Sequence, residues 1–169
     1  MSPFTRLAYD SIAYYLERQQ KLPAPSPPLQ SLFTEPRGVF VSLKIKNRLR
    51  GCIGSLTPVK DNLWQEIVDN AVKAACKDPR FPPVEQSELD QLTISVDILS
   101  PLTPIENLSQ TNSREFGLLV RSDKKQGVLL PDLEGVPNVN EQLRICLNKA
   151  GIKSGESYKM YQFKVQRYK

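Results

Sequence analysis

Cys52, Cys76 and Cys146 are the only thiols in this 169-residue chain, which has no histidine. A Ser-His-Asp triad, a Cys-His pair, an imidazole-ligated metal and an imidazole pH switch are therefore excluded. Acid–base work falls to Asp, Glu, Lys, Tyr or Cys. Three widely spaced cysteines make a poor disulfide framework and lack metal-ligand spacing, so reduced thiols in a cytosolic protein are expected. Cys52 stands out because it lies in Arg50-Gly51-Cys52-Ile53-Gly54. Residues two apart on a strand share a face, and a guanidinium beside a thiol stabilises the thiolate. That makes Cys52 a candidate nucleophile or redox thiol. The opposing reading, which the residues favour, is a structural Cys between glycines that permit close backbone packing.

Arg50 and Arg80 are the stronger ligand-binding candidates. Each sits in a Gly- or Pro-fixed segment, and two guanidiniums in one cleft hold a carboxylate or phosphate in bidentate fashion. The alternative is that each caps backbone carbonyls or pairs with Asp78 or Asp97. Gly51 and Gly54 offer bare backbone amides to an anion. Asp78-Pro79-Arg80-Phe81 follows a helix that itself follows the Arg-Gly-Cys strand. One cleft holding Arg50, Cys52, Asp78 and Arg80 is expected. No metal site and no cofactor is expected. Cys76, Cys146 and Trp64 read as core residues.

The elements that must position these residues follow from periodicity. Ser2-Pro3 opens a first helix, capped by Ser with Pro in the first turn, and its apolar spacing runs to about Gln19. Residues 21–36 form a Pro-rich connector that cannot continue the helix. Gly38 to Gly54 reads as a β-hairpin. An odd-length loop, Ile45-Lys46-Asn47, places Val39, Val41, Leu43, Leu49, Gly51 and Ile53 on one buried face. Arg50, Cys52, Phe40 and Ser42 then share the other face. Lys44, Lys46 and Arg48 surround the hairpin tip as a solvated turn.

Asp61 to Lys77 is a second helix with an apolar stripe from Leu63 to Ala75. Leu92 to Ile98 alternates as a strand. Phe116–Arg121 and Gly127–Leu130 form another hairpin, joined through 122–126. Asn138 and Glu141 resemble a capping box for a third helix that stops at Gly151. Tyr161, Phe163 and Val165 alternate in a last strand ending near Tyr168. Hairpins imply antiparallel pairing, so the class is α+β, with about three helices and two related halves. Each half has a hairpin, a helix and a further strand.

Charge is unevenly spread. Residues 1–60 hold nine Lys/Arg against three Asp/Glu, 61–110 three against nine, and 111–169 eleven against six. The acidic middle interrupts the single basic surface that a nucleic-acid binder needs. The N-terminus lacks the apolar core of a signal peptide, and no run reaches the ~18 apolar residues of a membrane span. A cytoplasmic protein without membrane attachment is expected.

Leu49-Arg50-Gly51-Cys52-Ile53-Gly54 resembles the signature of the AMMECR domain family. Further segments match that family in order: Gly38–Leu43, Asp78-Pro79-Arg80-Phe81-Pro82-Pro83-Val84, Ile94–Pro101, Gly127–Pro131 and Lys149-Ala150-Gly151. The resemblance covers nearly the whole chain and implies one AMMECR-type domain over 1–169. It also implies an α+β fold with a main antiparallel sheet and a smaller lobe. Phe116-Gly117 stands where the family often has His-Gly, and Tyr158 where it commonly has Trp. For prokaryotic members the resemblance implies a radical-SAM protein and a Memo-like protein as partners.

The resemblance does not bring a reaction with it. The leading expectation is a binding or accessory module that recognises an anionic small molecule or a partner protein through the Arg-Gly-Cys-Ile-Gly surface. An enzyme acting through Cys52 is the alternative, and a nucleic-acid binder is the third reading.

Overall fold

The computed structural model describes residues 1–26 and 29–169. Pro27 and Pro28 of the Pro-rich connector lie outside the described residues. The chain divides into two compact units, one formed by Met1–Leu99 with Gln166–Lys169 and one by Ser100–Val165.

In the first unit, α1 spans Pro3–Arg18. The Ser2 side chain accepts the Thr5 amide, Pro3 occupies the first turn, and Gln19 closes the helix in the left-handed region. The hairpin follows as β1 (Val39–Ile45) and β2 (Arg48–Ser55), then α2 (Leu63–Cys76) and β3 (Thr93–Leu99). Helix α2 starts at Leu63, two residues later than the expected Asp61, because the Asn62 side chain caps the Gln65 amide. Its expected stripe is buried throughout. A capping-box 3-10 turn, Gln86–Gln91, leads into β3. The sheet order is β2-β1-β3-β8, where β8 (Val165–Tyr168) comes from the far end of the chain. Both helices pack on the face bearing Val39, Val41, Leu43, Ile94 and Val96. Removing such side chains from water is the main stabilising term of the unit.

The second unit contains β4 (Thr103–Ile105), β5 (Gly117–Ser122), β6 (Lys125–Leu129), α3 (Val139–Ala150) and β7 (Lys159–Phe163). Its sheet order is β4-β7-β5-β6. Helix α3 covers Leu118, Val120 and Leu129 and buries Cys146. The Asn138 side chain caps the Glu141 amide, and Gly151 ends the helix at φ 67. The mixed helices and antiparallel sheets make the fold α+β.

Three sequence expectations need correction. The first hairpin turns through two residues, Lys46-Asn47, both at positive φ, as a tight hairpin turn requires. The extra residue is absorbed by a β-bulge. Leu43 lies opposite Gly51, yet Lys44 lies opposite Leu49, so Arg50 is unpaired. Leu49 therefore leaves the core face and is 40% exposed. Second, β5 and β6 are joined by the short turn Asp123-Lys124 rather than five residues. Third, the single last strand is two strands, β7 and β8, in different sheets. Alternation alone could not reveal that break at Lys164.

Candidate functional site

β2 is an edge strand, and an edge exposes unpaired N–H and C=O groups. At Cys52 that edge is capped by the segment leaving α2. Pro79 cannot extend the helix, and the turn brings Asp78 and Arg80 against the strand. The Cys52 amide donates to Asp78 Oδ2 at 2.9 Å, and Arg80 Nη2 donates to the Cys52 carbonyl at 3.2 Å. Arg80 also grips Asp78 through Nε at 3.0 Å and Nη2 at 2.7 Å. The pair thus does for one residue what a neighbouring strand would do. The Asp78 carboxylate is buried. The Arg80 guanidinium, helped by the Cys52 and Arg80 amides, holds it well below the usual carboxylate range despite burial.

The backbone groups of Cys52 point away from β1, so Ser42 and Cys52 form a non-hydrogen-bonded pair, the kind whose side chains approach most closely. The Ser42 hydroxyl donates to Cys52 Sγ at 3.2 Å. Both residues lie on the face opposite α1 and α2. Asp97 lies on the same face, one position from Val96. It is buried and takes a bidentate pair from Arg167 on β8, Nε at 2.7 Å and Nη2 at 2.8 Å. Both Arg80 and Arg167 lie within electrostatic reach of Cys52. Their side chains are 55% and 49% exposed. Among the described residues, Nη1 of neither donates a hydrogen bond. Each guanidinium is thus fixed along one edge by a buried carboxylate; among the described residues, Arg80 keeps Nη1 free, its Nη2 being shared with the Cys52 carbonyl, and Arg167 keeps its whole outer edge free.

Arg50 is elsewhere. Its bulge position sends the guanidinium to Glu88, with Nε and Nη2 each at 2.8 Å from the carboxylate. Nη1 donates to Pro82 O at 2.8 Å and Nη2 to Pro83 O at 3.1 Å. Four of its five N–H groups are used internally. Glu88 is held below its ordinary value chiefly by Arg50. The expected adjacency of Arg50 and Cys52 fails, because alternation is broken at the bulge. Arg80 is the guanidinium that reaches the Cys52 segment.

Gly51 and Gly54 are also placed by packing. A Cβ at Gly51 would overlap the Ala74 carbonyl oxygen of α2, and one at Gly54 would overlap the Phe40 ring. The structure thus brings together Cys52, Asp78 and Arg80, and sets Arg50 apart. Sequence reasoning missed Arg167 and Glu88. The signal for Arg167 was hidden by reading β7 and β8 as one strand. Glu88 lies in a 3-10 turn without a periodic pattern. Among the described residues, no three His, Cys, Asp or Glu gather as a metal site would require.

Chemically, this face offers a half-buried thiol with a hydroxyl donor and two oriented, half-exposed guanidiniums. Cys76 and Cys146 differ: burial pushes the first thiol up and the second to about 11. The chain is 43% identical over 169 residues to a protein of Thermotoga maritima, covering 99% of this chain and 97% of that one. It is 40% identical over 168 residues to the protein CA_C1420 of Clostridium acetobutylicum, of which it spans 36%. The crystal structure of the uncharacterized protein PH0010 from Pyrococcus horikoshii superposes with a TM-score of 0.83 at 31% identity. That match covers 97% of this chain and 88% of that one. Residues 5–169 match the AMMECR1 family model, and the chain belongs to the AMMECR1 family.

Proposed function

We propose that the chain is a binding module whose Cys52 face recognises a carboxylate group, on a small molecule or on a partner protein. One observation carries this reading: Arg80 and Arg167 are each anchored by a buried aspartate while Nη1 of each stays free of internal partners among the described residues. Such anchoring removes most of the entropy that a free arginine loses on binding. Each cation is already partly neutralised by its aspartate, so the face suits carboxylates, with one charge per group, better than a doubly charged phosphate group. Radical-SAM and Memo-like proteins are the first partners to test for an exposed acidic segment that fits this face.

An enzymatic role for Cys52 fits less well. The nearby carboxylates, Asp78 and Asp97, are both committed to guanidiniums, which removes them as bases for the thiol. Nucleic-acid binding fits least, because the two cations of this face are paired with acids.

Calorimetric titration of the full chain with succinate and with a short Asp/Glu peptide tests the reading. Arg80→Lys and Arg167→Lys keep the charge but lose the two-pronged fork. Each should weaken binding about tenfold, while Lys46→Ala at the hairpin tip should not. Equal loss in all three variants would reduce the interaction to general charge attraction and overturn the proposal.

A further inference from the structure

The second unit sets two cations side by side on neighbouring strands. Arg121 on β5 and Lys159 on β7 are directly opposite in the antiparallel register. Like charges in that relation repel, a destabilising arrangement. Arg50, Arg80, Arg144 and Arg167 each hold a carboxylate. Arg121 and Lys159 make no ion pair among the described residues. Arg121 instead lies over the Tyr161 ring, 5.6 Å from its centroid, and donates one long bond of 3.4 Å to Gln126. The ring face attracts the guanidinium without using its N–H groups.

These two residues line a hollow of about 460 Å³ with Ser122, Asp123, Ser157 and Tyr158. The walls are tied together, because Lys125 at the start of β6 holds Glu156, next to Ser157, through bonds of 2.6 and 3.0 Å. We propose that this hollow binds the phosphate group of a small phosphorylated metabolite through Arg121 and Lys159. Two adjacent cations, neither in an ion pair among the described residues, favour the ~1.5–2 negative charges of a phosphate monoester. The Ser122, Ser157 and Tyr158 hydroxyls supply the further donors that its several oxygens accept. The volume falls in the ~300–1,000 Å³ range of small-molecule sites, so it holds an organic body besides the phosphate. Tyr158, 37% exposed, offers its ring to that body. Asp123, also in the lining, makes no ion pair with either cation among the described residues and limits the anionic charge that the hollow accepts. The site and its residues are separate from the Cys52 face, so either proposal can fail alone.

The test is a ¹H–¹⁵N titration of the full chain with phenyl phosphate, inorganic phosphate and benzoate. Phenyl phosphate should move the amides of residues 121–123 and 157–159 and bind more tightly than inorganic phosphate. Benzoate, with the same ring and half the charge, should bind weakest. Arg121→Gln and Lys159→Gln should each weaken phenyl phosphate about tenfold, with unchanged spectra elsewhere proving the fold intact. Lys46→Ala should leave the affinity unchanged. Equal binding of benzoate and phenyl phosphate would overturn phosphate recognition. Equal binding of inorganic and phenyl phosphate would overturn the metabolite body. Shifts confined to the hairpin tip, no shifts at all, or indifference to the Arg121 and Lys159 changes would overturn the site.

Discussion

The two units are built on one frame and finished differently. The first unit runs β2-β1-β3-β8 and the second β6-β5-β7-β4, each with a hairpin, a helix and a return strand beside the hairpin's first strand. In both, a glycine on the second hairpin strand faces the helix. Gly51 lies against the Ala74 carbonyl and Gly127 against the Cys146 carbonyl. In both, an aromatic ring covers a cross-strand glycine, Phe40 over Gly54 and Phe163 over Gly117. Even the edge is capped alike. Arg80 donates to the carbonyl after Gly51, and Lys149 to the carbonyl after Gly127. The difference is what stands behind the cation. Arg80 is backed by the buried Asp78, whereas Lys149 is an exposed lysine making one bond of 2.9 Å. The frame is thus a packing solution, and the candidate chemistry is an addition at the strand edge.

The largest expected effect tests the shared frame. Gly51→Ala and Gly127→Ala each force a methyl group into helix backbone that cannot swing away. Each should lose about 3 kcal/mol in urea unfolding, the upper range for overpacking. A neutral result at one glycine alone would break the equivalence of the two units.

Next is Asp78→Asn, which leaves Arg80 without its acceptor. About 2 kcal/mol should be lost at neutral pH, the scale of a hydrogen bond to a charged group, with the half-exposed arginine screened by solvent. The native carboxyl is depressed from its ordinary 3.8. Its contribution is therefore complete above that value and fades as pH falls through it toward the native one. Wild-type stability should fall more steeply than that of Asp78→Asn as pH drops below about 4. Parallel curves would show that the clamp does not stabilise the fold.

The cysteines sharpen the contrast between sheet face and core. Alkylation of native protein should label Cys52 first. Cys146 should be slowest, since it is fully buried with its thiol pushed up to about 11. Labelling of Cys146 ahead of Cys52 would contradict the placement of both. The smallest effect belongs to the second unit's edge: Lys149→Ala should cost no more than about 0.5 kcal/mol, as exposed single bonds do. A loss equal to that of Asp78→Asn would erase the distinction between the two edges.

Much of the frame was legible in the sequence because it follows from strong periodicity and caps. Ser2-Pro3, the α2 stripe, the β3 alternation and Asn138 with Gly151 all mark their elements correctly. What was not legible is a matter of single residues. The bulge at Arg50 carries no residue signature, and it decides which guanidinium lies beside Cys52. The one-residue gap between β7 and β8 at Lys164 interrupts an alternation that continues on both sides. Asp97 read as a polar strand position, yet it is buried because Arg167, from a strand 70 residues away, covers it.

The central claim is that Arg80 and Arg167 present their free N–H groups to a carboxylate. The most direct measurement follows the arginine side-chain N–H signals of the full chain during succinate titration. Signals of Arg80 and Arg167 should shift together along one binding curve, while Arg50, bound to Glu88 and two prolyl carbonyls, stays fixed. Movement of Arg50 with Arg80 and Arg167 silent would contradict the account.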